Sequence, residues 1–300
     1  MTVPIGSVRV LAPAKLNLYL HALGRRPDGF HELDSLVVFC GVGDVLTVRA
    51  AQDYSLQIEG PFGAALAAED PERNLVTKAV RTLADAMGRA PGLAVRLTKN
   101  LPLASGIGGG SADAAAALRA AAVAWGLPPD DPRPAEIAPR LGSDVTVCFA
   151  GATSYFGGLG ELIVPGPPMP KLYLVLANPG VITLTRQVFA ARTGPWGEAG
   201  RFERDPQGLD DLVALLKARR NDLGAAAEIV APPVREVLAA LDAQPGCKLA
   251  RMSGSGSTCF AIFGTETEAR AAAASLGTAH PTWWVVATQT IDAEPVLEIG

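Results

Sequence analysis

Lys15 and Asn17 stand two positions apart in Pro13-Ala14-Lys15-Leu16-Asn17-Leu18, and a strand would turn both to one face. Apolar neighbours make such a polar face costly to bury unless something there uses it. The plainer reading is an ordinary half-exposed strand. More specific is Leu101-Pro102-Leu103-Ala104-Ser105-Gly106-Ile107-Gly108-Gly109-Gly110-Ser111-Ala112-Asp113-Ala114-Ala115. Successive glycines let backbone N–H groups turn toward one concavity, and a following helix adds partial positive charge. Phosphate is the expected occupant. The dinucleotide fingerprint fails here because its third glycine position holds Ser111, and the P-loop fails because the stretch contains no lysine. A flexible turn capped by a helix is the plain alternative. Asp144, after Gly142-Ser143 and before Val145-Thr146-Val147-Cys148-Phe149, could be a base, a metal ligand or a cap. Met252-Ser253-Gly254-Ser255-Gly256-Ser257-Thr258 is a second small-residue loop, suited to phosphate approach or to a hairpin.

The elements that must position these groups follow from patterning. Strands are predicted at 8–12, 16–22, 36–40 and 44–50, with turn signals between them. Asn74 opens a helical pattern carrying Leu75, Ala79, Leu83 and Ala86 on one face, and Gly88 stops it. Residues 93–98 alternate as a strand, the glycine-rich loop follows, and an Ala-rich helix begins near Ser111 and ends at Gly126-Leu127-Pro128-Pro129. Residues 145–149 and 152–157 read as strands. Pro165-Gly166-Pro167-Pro168-Met169-Pro170 is the candidate linker, dividing the chain into 1–165 and 166–300. Beyond it, strands are expected at 172–177, 259–263 and 283–288. Helical segments are expected near Val188 and at 210–220, 234–243 and 266–275. Strands and helices intermix without a βαβ rhythm, which predicts an α+β fold.

Composition narrows the function classes. Across 300 residues, 49% are hydrophobic and 19% charged, enough apolar matter for a folded core and enough length for two domains. A net charge of −4 gives no general attraction to a nucleic-acid backbone, so an anionic ligand needs a local site. The cysteines Cys40, Cys148, Cys247 and Cys259 are scattered and histidines number three, so neither disulfides nor a dedicated metal site is expected. No basic leader precedes an apolar run and no charge-free stretch spans a bilayer. The expectation is a soluble, cytoplasmic protein without a membrane or nucleic-acid partner.

In their order, the segment around Lys15, the stretch from Pro102 to Ala115 and the Ser253–Thr258 loop resemble the three motifs of the GHMP kinase superfamily. Ala14-Lys15-Leu16-Asn17-Leu18, Arg26-Pro27-Asp28-Gly29-Phe30-His31-Glu32-Leu33 and Gly142-Ser143-Asp144-Val145 are similar to the branch that phosphorylates 4-diphosphocytidyl-2-C-methyl-D-erythritol. The likeness runs over about residues 9 to 264. It departs from the family pattern at Phe30, where Tyr is usual, at Ala104-Ser105, at Ala112, and at Thr146, where Pro is usual.

This resemblance implies a ribosomal-S5-like N-terminal domain beside a ferredoxin-like C-terminal domain, with the active site in the cleft. It implies ATP as phosphoryl donor, with Mg²⁺ carried on it, and that small molecule as acceptor. Asp144 matches the catalytic base and Lys15 its partner. Pro102, Leu103, Ala104, Ser105, Gly106, Ile107, Gly108, Gly109, Gly110, Ser111 and Ala112 match the ATP loop. Asn17, Phe30, His31, Thr185 and Phe189 match acceptor-binding positions, the last two through Asn178-Pro179-Gly180-Val181. Other readings are a different small-molecule kinase of the superfamily, such as a homoserine or mevalonate kinase, or a catalytically silent nucleotide-binding module. The sequence leaves oligomeric state open.

Overall fold

The computed structural model describes residues 6–27, 29–158, 160, 162–291 and 297–300. Asp28 of the Arg26–Leu33 segment and residues 1–5 of the N-terminal stretch lie outside them. The chain begins with two long strands, β1 (Val8–Arg25) and β2 (His31–Ala50), followed by β3 (Ser55–Glu59), α1 (Gly63–Ala67), α2 (Leu75–Ala86) and β4 (Leu93–Thr98). Then come α3 (Gly109–Ala124), α4 (Arg133–Leu141), α5 (Ser143–Ala150), β5 (Ser154–Gly158) and β6 (Leu162–Pro165). The second half runs β7 (Tyr173–Asn178), α6 (Thr185–Ala191), α7 (Leu209–Lys217), α8 (Gly224–Val230), α9 (Pro233–Asp242), β8 (Cys247–Met252), β9 (Cys259–Phe263), α10 (Glu266–Ala279), β10 (Trp284–Ile291) and β11 (Leu297–Ile299). The expected α+β class holds.

The four strands predicted near the N-terminus are two continuous ones. Pro13, Gly41 and Gly43 are bulge and close-approach residues rather than turns. Gly43 lies so near β1 that an added Cβ would meet Ala12 C at 2.8 Å and Pro13 Cα at 2.9 Å. β2 is the spine of the sheet: it pairs along its length with β1, while its other edge carries β5, then β10, then β4. The β1–β2 register slips between Pro13 and Lys15 and again between Asn17 and Tyr19, and bulges of this kind re-aim side chains.

In the C-terminal half, β10, β7, β9 and β8 lie side by side, each antiparallel to the next. That order, with α9 and α10 as the crossovers, is the expected ferredoxin-like arrangement. β10 also pairs with β2 through Thr290–Cys40 and Ile291–Phe39, and β11 pairs with β1. One sheet therefore runs through both halves.

α2 begins where Asn74 Oδ1 accepts the Val76 N–H at 2.9 Å, and its buried face is Val76, Ala79, Val80 and Leu83. α3 is buried nearly all round, from Ala112 to Ala121, which explains why it is alanine-rich: small side chains let β1, β2, α2 and α5 approach it from every side.

Residues 145–149 differ from expectation, forming part of helix α5 rather than a strand. A short apolar run satisfies either period. Here Val145, Val147 and Cys148 are buried in the core that α3 shares, and a helix is what packs there. Residues 152–157 do form a strand, beginning at Ser154.

Candidate active site

Lys15 is fixed first by its backbone: its N–H donates to Ile107 O at 2.9 Å, tying β1 to the glycine-rich loop. Its side chain, 4% exposed, donates from Nζ to Asp144 Oδ2 at 3.1 Å. Nζ also lies 5.8 Å from the centre of the Phe156 ring. Asp144 sits in the first turn of α5, where the helix field favours a negative charge. No side chain caps that helix, so the carboxylate serves the lysine and not the helix end.

The glycine-rich loop is built for close approach. Gly108 (φ +68°) is the N-cap of α3 and brings no side-chain cap, leaving the first N–H groups of the helix for a ligand. A Cβ on Gly108 would lie 3.2 Å from the Lys15 side chain. Gly106 (φ +77°) faces the Ser253–Thr258 loop, where a Cβ would collide with Ser253 O and meet Gly256 N at 2.7 Å and Gly256 O at 2.8 Å. The two loops are stitched by Thr258 N–H to Ser105 O at 3.0 Å and Ser253 Oγ to Gly106 O at 3.0 Å. Ser253 Oγ also accepts the Asn17 N–H at 3.1 Å. The Lys15–Asn17 strand, the glycine-rich loop and the Ser253–Thr258 loop thus converge.

A cavity of about 1430 Å³ runs across this junction. Lys15, Asn17 and Asp144 line it, with Pro102, Leu103, Ala104, Ser105, Gly106, Gly108, Gly109, Gly110 and Ser111. Ile107 and Ala112 do not: their side chains are buried in the two hydrophobic cores flanking the loop, because a loop crossing between cores must anchor in both. Phe30, His31, Thr185 and Phe189 also line the cavity, and Thr185 Oγ1 is 2.9 Å from Ser255 Oγ. His31 stacks on Phe189, with ring centroids 4.4 Å apart and planes 18° apart. Phe30 is 63% exposed.

Sequence reasoning missed several neighbours. Ser35 accepts from Asn17 Nδ2 at 2.8 Å, fixing the amide. Beneath the start of α3, Lys99 bridges Asp44 and Asp113, the latter at 2.7 Å. All three side chains are buried. Burial pushes the Asp113 carboxyl up to about 8, with Lys99 pulling it down and Asp44 adding repulsion. Burial opposes the Lys99 charge, but the two aspartates outweigh it and raise its pKa. Partial burial lowers the pKa of His31, aided by Arg25 and Arg192. Nothing in the local sequence marks Asp44 or Lys99, which meet only through the β2–β4 pairing.

The GHMP kinase N-terminal domain family matches residues 74–152, and the GHMP kinase C-terminal family matches residues 202–281. A protein of Paramagnetospirillum magneticum named 4-diphosphocytidyl-2-C-methyl-D-erythritol kinase is 49% identical over 286 residues, covering 95% of this chain and 99% of its own. Its namesake from Parvibaculum lavamentivorans is 48% identical, covering 93% and 97%. A crystal structure of 4-(cytidine 5'-diphospho)-2C-methyl-D-erythritol kinase superposes with a TM-score of 0.75 at 30% identity, over 94% of this chain and 99% of the other. Homoserine kinase from Cytophaga hutchinsonii, at 18% identity and TM-score 0.72 over 99% of each chain, shares the fold. The chain belongs to the GHMP kinases and, within them, to the family of 4-diphosphocytidyl-2-C-methyl-D-erythritol kinases. It is an enzyme of the kinase class. Among the described residues, no helix is long and apolar enough to cross a membrane.

Proposed function

We propose that this enzyme transfers the γ-phosphoryl group of ATP to the 2-hydroxyl of 4-diphosphocytidyl-2-C-methyl-D-erythritol, a step of the non-mevalonate route to isoprenoid precursors in the cytoplasm. The observation that carries the reading is the Lys15–Asp144 pair at 3.1 Å, on one cavity with the glycine-rich loop and the ring cluster of Phe30, His31 and Phe189. Residues 1–165 supply the ATP loop and the pair, and residues 166–300 close the acceptor side.

The uncapped N-terminus of α3 suits an ATP phosphate, and the missing Cβ atoms of Gly106 and Gly108 let the second loop and Lys15 pack against the glycine-rich loop. Mg²⁺ comes with ATP, held mainly by phosphate oxygens and water. Asp144 accepts the proton of the acceptor hydroxyl as its oxygen bonds to phosphorus. Lys15 holds that carboxylate in place and balances the charge spread over the moving group. Asn17, steadied by Ser35, and Thr185 orient the acceptor. A neutral His31, favoured by its lowered pKa, offers one donor and one acceptor nitrogen to a pyrimidine edge.

The test is ADP release from ATP and Mg²⁺ with a panel of acceptors: 4-diphosphocytidyl-2-C-methyl-D-erythritol, homoserine, mevalonate and phosphomevalonate. Turnover with the first alone is expected. Turnover with another acceptor in its place would move the enzyme to a different branch, and no turnover with any would favour a silent nucleotide-binding module.

A further inference from the structure

Trp196 follows α6 in the segment leading to α7, lines the same cavity and is 45% exposed. With Phe30 and Leu184, both exposed on the same cavity, it belongs to a group of exposed apolar side chains of the kind that marks a ligand-binding groove. Its ring centroid lies 5.7 Å from that of His31, with the planes tilted by 51°, so it extends the His31–Phe189 stack into a three-ring cluster.

The indole is held in place. The Arg192 guanidinium carbon sits 4.3 Å from its ring centroid, and Arg192 Nη2 donates to Pro195 O at 2.5 Å. Immediately after the tryptophan, Gly197 N–H donates to Ala22 O at 2.7 Å. A Cβ on Gly197 would lie 2.7 Å from Asp222 Oδ2, the oxygen that accepts the Ala22 N–H, so the glycine leaves room for that bond. Farther along, Glu198 O is 2.7 Å from His21 Nδ1, and Gly200 N–H donates to Asp34 Oδ2 at 2.6 Å. A segment pinned this often presents Trp196 at little entropic cost to a ligand.

The charge around the cluster has a sign. Arg25 and Arg192 line the cavity together with His31, Phe189 and Trp196, so this end of the cavity is cationic as well as aromatic. That pairing fits a flat ring followed by an anionic diphosphate.

We infer that Trp196, braced by Arg192, forms a third aromatic wall of the nucleoside subsite and adds stacking affinity for the nucleoside diphosphate of the acceptor. The inference rests on the proposed acceptor and adds a binding residue to it. Trp196 touches neither the phosphoryl donor site nor the Lys15–Asp144 pair, so its contribution is to acceptor affinity.

CDP, the nucleotide part of the proposed acceptor, is the probe, titrated by calorimetry into the full-length protein. Trp196→Ala should weaken CDP about 5- to 150-fold, the range of base–aromatic stacking. Trp196→Phe should restore most of the affinity. The acceptor KM should rise with the Ala variant while the KM for ATP stays put. CDP should also quench wild-type tryptophan fluorescence, and Trp196→Phe should remove that quench while still binding. This second readout decides the matter should the Ala variant fold poorly. Unchanged CDP affinity in folded Trp196→Ala, with Phe189→Ala still weakened, would overturn the role of Trp196 alone. Absence of CDP binding to the wild type would overturn the nucleoside subsite, and Trp196 with it.

Discussion

Lys15 Nζ and Asp144 Oδ2 meet at 3.1 Å across 129 positions of sequence, the lysine side chain 4% exposed and the aspartate 38%. The buried partner is thus fixed and the carboxylate reaches the cavity, the asymmetry expected of a base that must meet an incoming hydroxyl. Asp144→Asn keeps the shape and removes the proposed base, and turnover should fall about 10²–10⁴-fold with acceptor binding largely retained. Lys15→Met should lower turnover as well. Steady-state kinetics beside calorimetric binding is the check. Near-normal turnover in folded Asp144→Asn would leave the pair a structural one.

Gly106 and Gly126 both have positive φ, +77° and +71°, but Gly126 has nothing within 4 Å of an added Cβ whereas Gly106 meets the backbone of the second loop. Gly126→Ala should therefore cost only the backbone strain, about 1–2 kcal/mol. Gly106→Ala adds a collision that rigid backbone cannot relieve, for a total above about 3 kcal/mol. Denaturant melts of the two variants measure the difference. Equal losses would mean that the two loops separate easily.

The Asp113 carboxyl, raised by burial to about 8 from an ordinary 3.8, links stability to pH. Between those values the folded protein keeps a proton there that the unfolded chain has released, so the unfolded state binds fewer protons and stability falls as pH rises through the window. Asp113→Asn mimics the protonated acid at every pH. It should flatten this part of the profile relative to wild type in denaturant melts from about pH 5 to 8. Parallel profiles would show Asp113 ionised in the fold.

Phe30 is 63% exposed on the cavity rim, where its removal disturbs little packing. Phe30→Ala should raise the acceptor dissociation constant about 5- to 150-fold through lost stacking, with ATP affinity hardly changed. His31→Ala should blur the choice between cytidine and uridine diphospho-acceptors, because paired polar edges discriminate strongly. Competition titrations with both nucleotides give the answer. If both variants bound the cytidine compound normally, the specificity would have to come from elsewhere in the cavity.

By itself the sequence determined the strand–loop–helix around Gly106–Ser111 and the helix from Asn74, because each rests on local chemistry: positive-φ glycines, an N-cap and short-range periodicity. The ferredoxin-like half was legible only through the family resemblance, since periodicity alone did not mark β8 (Cys247–Met252). The motif residues Lys15, Asn17, Asp144, Phe30, His31, Thr185 and Phe189 were legible as a set, since they repeat a family pattern, and all line one cavity. Tertiary structure decided the rest. Residues 145–149 form a helix because an apolar run of that length fits either period and only the neighbouring α3 selects one. Lys99, Asp44 and Asp113 form a buried charge cluster because β2 and β4 pair in a register that no local pattern encodes. Trp196 reaches His31 through a segment whose course is set by hydrogen bonds to β1 and β2, contacts between residues far apart in the chain whose side chains carry no local signal of one another.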